Sequence, residues 1–149
     1  MVSDAQAVLC FDRAALLVER TIAHAYLLRQ MAQRLILQHG YKASTVGACI
    51  RAADSFVVCA GLSTSAVKRA KYFTWAAQWY FSGSQIAQAA QAYMSAGKYT
   101  EAAQHFRRAK LYEEAADVVL LHHNKLDSKV ADQCLSTAKL YLHRENQLL

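Results

Sequence analysis

The sequence predicts an all-α protein, an α-solenoid of about eight helices stacked as antiparallel hairpins in a single domain over residues 1–149. Three observations carry that expectation. Between Ala76 and Asp127 the chain repeats every thirteen residues, as AAQWYFSGSQIAQ, AAQAYMSAGKYTE, AAQHFRRAKLYEE and AADVVLLHHNKLD. Such a period marks architectures in which each unit buries its apolar face only against its neighbours. The chain has no proline and only five glycines, so little interrupts a helix. Apolar residues recur at helical spacing along the whole length, and no segment reads as a strand.

The repeat has a physical reason for its composition. Ala76, Ala89, Ala102 and Ala115 are small enough for two helix backbones to approach closely, and Tyr80, Tyr93 and Phe106 lie one turn further along the same face. Small and large residues therefore interlock. Thirteen residues divide into a helix of roughly ten residues, about 15 Å long, and a tight turn. Gly97 and the Lys110-Leu111 step fall at those turns, Gly97 suiting a left-handed cap. Thr100 with Glu101, and Glu113 with Glu114, bring acceptors and negative charge to the next helix start. Two blocks make one hairpin, shorter than the tetratricopeptide unit of about 34 residues. The expected fold is tetratricopeptide-like rather than a strict member of that class.

Taken in order, Ser3 with Gln6 has capping-box spacing and opens a first helix to about Ala15. Ala7 to Glu19 matches Ala102 to Glu114 offset for offset, pairing Ala7 with Ala102, Phe11 with Phe106 and Leu16 with Leu111. A long helix is expected from about Glu19 to Gln38, with Ala23, Leu27, Met31 and Leu35 along its inward stripe and Arg20, Arg29, Gln33 and Arg34 mostly off it. His39-Gly40 ends it. Ser44 caps a third helix to about Ala60, where AADSF at Ala52 echoes the repeat, and Gly61 to Ser65 forms a turn.

The fourth helix carries Ala66, Ala70, Phe73, Ala77, Tyr80 and Phe81 on one apolar face, flanked by Trp75 and Trp79. An aromatic stripe at helical spacing reads as core before it reads as a stacking surface. Three shorter helices follow to about His123, and Asp127 or Ser128 caps a last helix with Val130, Cys134, Ala138 and Tyr141 facing inward.

Hydrophobic residues at 54% and charged ones at 19% describe a foldable globular chain. The longest uncharged apolar runs, such as Val118 to Leu121, are too short to span a bilayer, and the N-terminus lacks a basic region followed by an apolar core. The expectation is an intracellular protein, cytoplasmic or nuclear, that makes no membrane contact. Cys10, Cys49, Cys59 and Cys134 form no CxxC pair and no compact ligand spacing, so they read as core residues in a reducing compartment. His122 and His123 point about 100° apart on a helix and share one ion only if the backbone unwinds there. A solvated helix end is the expectation.

No phosphate loop, GxGxxG turn, GxSxG elbow or HExxH pair occurs. Neither a cofactor, a metal nor a catalytic residue is therefore assigned, and the isolated chain reads as non-enzymatic. Charge is the uneven feature. Residues 20–100 hold nine basic side chains against Asp54 alone, a net +8, whereas residues 101–149 balance seven against seven. Lys and Arg flank apolar stripes in most helices, which accounts for much of this excess. The cluster Lys68, Arg69 and Lys71 at the start of the fourth helix stands out, because cations there oppose the helix dipole. These three are the candidate contacts for an anionic partner.

With these residues in view, the chain resembles a helical-repeat segment of the very large fungal proteins described as tetratricopeptide- and ankyrin-repeat-containing, UvrD-like helicases. The matching stretches are Ala7 to Gln33 (AVLCFDRAALLVERTIAHAYLLRQMAQ), Ala52 to Ala60 (AADSFVVCA), Ala76 to Val119, and YLHREN at Tyr141 to Asn146. Where that family tends to end a helix on Ala-Gly, this chain has Ala14-Ala15 and Ala109-Lys110. The resemblance implies a piece of a larger helicase-type protein whose ATP-binding motifs lie elsewhere, so no catalytic residue carries over. The expected role is a scaffold for a protein or peptide partner or for neighbouring domains. The alternative is a nucleic-acid-binding solenoid that uses the basic region 20–100 as a phosphate track.

Overall fold

A computed structural model of the chain describes residues 3–148. Seven α-helices follow one another: α1 (Asp4–His39), α2 (Ala43–Leu62), α3 (Ala66–Ser82), α4 (Ile86–Ser95), α5 (Tyr99–Arg108), α6 (Tyr112–His122) and α7 (Ser128–Leu148), with a 3₁₀ turn at His123–Lys125 before the last. The described residues contain no strand. Each helix packs on the next, and α5 also reaches α7. The chain is all-α, as its lack of proline and its patterning require.

The repeat survives as repeated backbone geometry. Ser84, Gly97 and Lys110, thirteen residues apart, all adopt positive φ, at 61°, 77° and 63°. In each turn the following residue donates its N–H five residues back to the carbonyl of the block's aromatic: Gln85 to Tyr80 at 2.8 Å, Lys98 to Tyr93 at 2.9 Å and Leu111 to Phe106 at 2.9 Å. This left-handed closure satisfies carbonyls that the helix end would otherwise orphan. The side chains repeat too. Ala76, Ala89, Ala102 and Ala115 are all 0% exposed, and Tyr80, Tyr93 and Phe106 are buried beside them. Ala52, Ala53 and Phe56 on α2 play the same part in the core, as the AADSF echo indicates.

Two repeat positions behave differently. The fourth block closes through the 3₁₀ turn, with His123 in right-handed conformation where its predecessors are left-handed. At the other end, α1 runs unbroken from Asp4 to His39, so the expected break between Ala15 and Glu19 is absent. The reason is chemical. Ala15 occupies the offset of Lys110, and alanine, the strongest helix former, followed by Leu16 and Leu17 favours continuing the helix at that point. The Phe11 side chain, matched to Phe106 in the sequence, lies outside the described residues.

Both ends of α1 are capped as expected. Ser3 Oγ accepts from the Gln6 N–H at 3.3 Å while Gln6 Oε1 accepts from the Ser3 N–H at 3.2 Å, and Gly40, at φ 71°, donates to Ile36 O. Its inward stripe is not the expected one. Ala25 and Ala32 are fully buried, whereas Leu27 and Met31 are more than half exposed and Ala23 is exposed. The alanine-rich face of α2 brings the two backbones close, and small residues on α1 suit that approach better than leucine and methionine. Arg29, four residues after Ala25, is thereby carried onto the packed face.

The start of α2 is closed by Thr45, not by Ser44: Thr45 Oγ1 accepts from the Lys42 N–H at 3.0 Å and donates to Lys42 O at 2.8 Å. Among the described residues this is the one helix long and apolar enough, by length and composition, to cross a membrane. Its apolarity has a use within the fold, because α1 and α3 both pack on it. On α3 the buried stripe is Tyr72, Ala76, Ala77 and Tyr80, leaving Ala66 and Phe81 exposed. On α7, Val130, Cys134 and Ala138 are buried as expected. Tyr141 is exposed and rests against Tyr112. Asp127 rather than Ser128 caps this helix, its Oδ1 accepting from the Lys129 N–H at 2.8 Å.

Candidate functional site

Lys68, Arg69 and Lys71 are all exposed on the first turns of α3, but their side chains do not converge. Arg69 Nη2 donates to Ser63 O at 3.1 Å, which ties it to the end of α2. Lys71 Nζ sits 4.7 Å from the Trp75 ring centroid. Lys68 lines a groove of about 560 Å³ that it shares with Glu19, Cys59 and Tyr72. Two of the three cations are therefore engaged by their own helix or loop, and the third faces a groove that already holds a carboxylate.

A second constellation escaped the sequence pattern. α1 and α3 flank α2, and between them lies a cleft of about 250 Å³ lined by Arg29 and Gln33 of α1 and by Trp75, Gln78, Trp79 and Ser82 of α3. The α3 residues occupy i, i+3, i+4 and i+7, one stripe of one helix. Trp75 and Trp79 were expected in the core. They are half-buried, packing against the core on one side and lining the cleft on the other. Arg29 joins them because it rides the Ala25–Ala32 face.

The guanidinium of Arg29 is held by rings. Its Cζ lies 4.6 Å from the Tyr26 centroid, 5.2 Å from Trp75 and 5.9 Å from Phe56. Those rings form one cluster, with Phe56 and Trp75 edge to face at 5.4 Å and Tyr26 and Trp75 at 5.9 Å. Aromatic faces stabilise the charge of a cation. They leave its in-plane N–H groups without acceptors, and Arg29 Nε is buried with no hydrogen-bond partner. The one carboxylate of residues 20–100, Asp54, accepts instead from the Tyr80 hydroxyl.

The thiols divide in two. Cys49, Cys59 and Cys134 are buried, and that burial pushes each thiol above its ordinary range. Cys10 is exposed, contrary to the core expectation, because it lies on the N-terminal part of α1 that α2 is too short to cover. The backbone does unwind at His122 and His123, yet His122 is stacked on Tyr99 at 3.7 Å between centroids. Among the described residues no group of three metal-ligating side chains comes together. No protein-family model, no curated protein and no solved structure matches the chain.

Proposed function

We propose that the chain is a non-catalytic helical-repeat scaffold, a tetratricopeptide-like solenoid of antiparallel hairpins that holds a protein or peptide partner or neighbouring domains. The observation that carries this reading is the recurrence of one turn at Ser84, Gly97 and Lys110, with the same hydrogen bond to the preceding aromatic each time. Identical turns set successive helices at a constant offset, which builds a stack with continuous grooves between helices rather than a closed core. The cleft between α1 and α3 is a further groove, formed by helices that precede the repeated turns. The resemblance to UvrD-like helicase proteins implies such a scaffold between domains of a longer protein. The three buried thiols suit an intracellular setting.

The second reading, a nucleic-acid-binding solenoid, draws on the net +8 of residues 20–100. It is disfavoured by the engagement of Arg69 and Lys71 and by the half-burial of Trp75 and Trp79, which leaves electrostatics without an open stacking platform. Titrating labelled single- and double-stranded oligonucleotides at low and physiological salt decides between the two. The scaffold reading expects only weak binding that disappears at physiological salt. Micromolar binding that persists there, and that Lys68→Glu with Lys71→Glu abolishes in a folded chain, overturns it. ATP hydrolysis by the purified chain would overturn the non-catalytic part.

A further inference from the structure

We propose that the cleft between α1 and α3 binds a carboxylate of the partner peptide, with Arg29 as the anchoring cation. This rests on the scaffold reading and names the chemistry that one of its grooves would recognise. Arg29 occupies a position between Ala25 and Ala32, both fully buried, where the helix packing has room for little. A guanidinium there is partly dehydrated, and its Nε is already shut off from water with no acceptor. Tyr26, Phe56 and Trp75 hold its plane in place. They do so without using the N–H edges, the part of the group that recognises a carboxylate as a fork. The group is held in position, and among the described residues its Nε has no acceptor, while Asp54 accepts from Tyr80.

The rest of the lining fits a monoanion. Gln33 and Gln78 offer neutral amide donors, whereas the Ser82 hydroxyl hydrogen is already engaged by Gln78 O at 3.1 Å and adds no donor. One cation with neutral donors matches the single charge of a carboxylate, whereas a phosphate dianion calls for a second lining cation. Size points the same way. A cleft of about 250 Å³ lies below the range of roughly 300–1,000 Å³ that takes whole small-molecule ligands, and suits the end of an acidic side chain or a chain terminus.

The chain supplies its own reporter, because its two tryptophans both line this cleft. Intrinsic tryptophan fluorescence is followed while the folded chain is titrated with four probes. These are a glutamate-containing peptide capped at both ends, its glutamine counterpart, a neutral peptide with a free C-terminal carboxylate, and inorganic phosphate. The expected result is a saturable change with one or both carboxylate peptides, the responding arm identifying the source, and a response at least about tenfold weaker with the glutamine peptide and with phosphate. Arg29→Gln should weaken carboxylate binding by about tenfold or more. If that variant does not fold, Gln33→Ala and Gln78→Ala, at exposed positions, should each weaken it several-fold. No response to either carboxylate, an equal response to the glutamine peptide, tighter binding of phosphate, or unchanged affinity in the folded variants overturns the proposal. Failure here leaves the scaffold reading standing if a peptide binds without altering tryptophan emission, and removes both if only oligonucleotides bind.

Discussion

Tyr80 near the end of α3 donates its hydroxyl hydrogen to Asp54 Oδ1 on α2, joining the aromatic of the first thirteen-residue block to the one carboxylate of residues 20–100. Burial, and then the bond to Asp54, push the Tyr80 pKa well above its ordinary value of 10.0. The folded chain therefore keeps a proton that the unfolded chain releases. Stability from this pair is fully present below pH 10.0 and falls as pH rises beyond it. Tyr72 and Tyr93, and the three buried thiols from pH 9.0, act in the same direction. The urea midpoint should hold steady near neutrality and drop above about pH 9, and Tyr80→Phe should drop less steeply above about pH 10. Parallel pH profiles for the two proteins would contradict this.

Ala102 and Ala23 make a paired test of the packing. Ala102 is fully buried at a repeat contact, so Ala102→Leu should cost about 1–3 kcal/mol through overpacking. Ala23, placed on the inward stripe by the sequence pattern, is exposed, so Ala23→Leu should stay within about 0.5 kcal/mol. Chemical denaturation of both variants checks the register of α1. Equal losses would restore the Ala23–Leu27–Met31 face as the buried one.

How far the sequence reaches is visible in this contrast. From Ala76 to Phe106 the buried face is legible in the sequence because helices separated by fixed turns leave one possible buried face, and the Ala-Ala-x-x-aromatic pattern names it. On α1 two apolar stripes compete, one of large residues at Leu27 and Met31 and one of alanines at Ala25 and Ala32. Which is buried depends on how closely α2 approaches, a property of the pair that periodicity in α1 alone does not contain. Arg29 was missed for the same reason. Lys68, Arg69 and Lys71 were found by counting charge, but counting does not reveal that Ser63 O and the Trp75 ring already engage two of them.

Lys110 and Gly97 occupy the same left-handed turn position with opposite backbone costs. A residue with a Cβ pays roughly 1–2 kcal/mol in that region, and glycine escapes the penalty. With φ at 63° for Lys110 and 77° for Gly97, Lys110→Gly should stabilise the chain by up to about 1 kcal/mol and Gly97→Ala should destabilise it by a similar amount. No atom lies within 4 Å of a Cβ built on Gly97, so the loss would report backbone conformation rather than a clash. Thermal or urea unfolding measures both, and a loss of stability in Lys110→Gly would contradict the shared turn.

The four cysteines should separate into one fast thiol and three protected ones. α1, with 36 residues, is about 54 Å long, and α2, with 20, about 30 Å, so the N-terminal part of α1 extends past its partner and leaves Cys10 exposed. The thiolate is the nucleophile that attacks a disulfide reagent and expels its coloured thiolate, and both access and ionisation are low at Cys49, Cys59 and Cys134, whose burial raises their pKa. Under native conditions one equivalent should react rapidly with a colorimetric thiol reagent, and Cys10→Ser should remove that phase entirely. The remaining three equivalents should appear only as the chain opens, with rates that rise in urea. Two or more fast equivalents in the Cys10→Ser variant would mean that the α2 or α7 packing described above does not hold in solution.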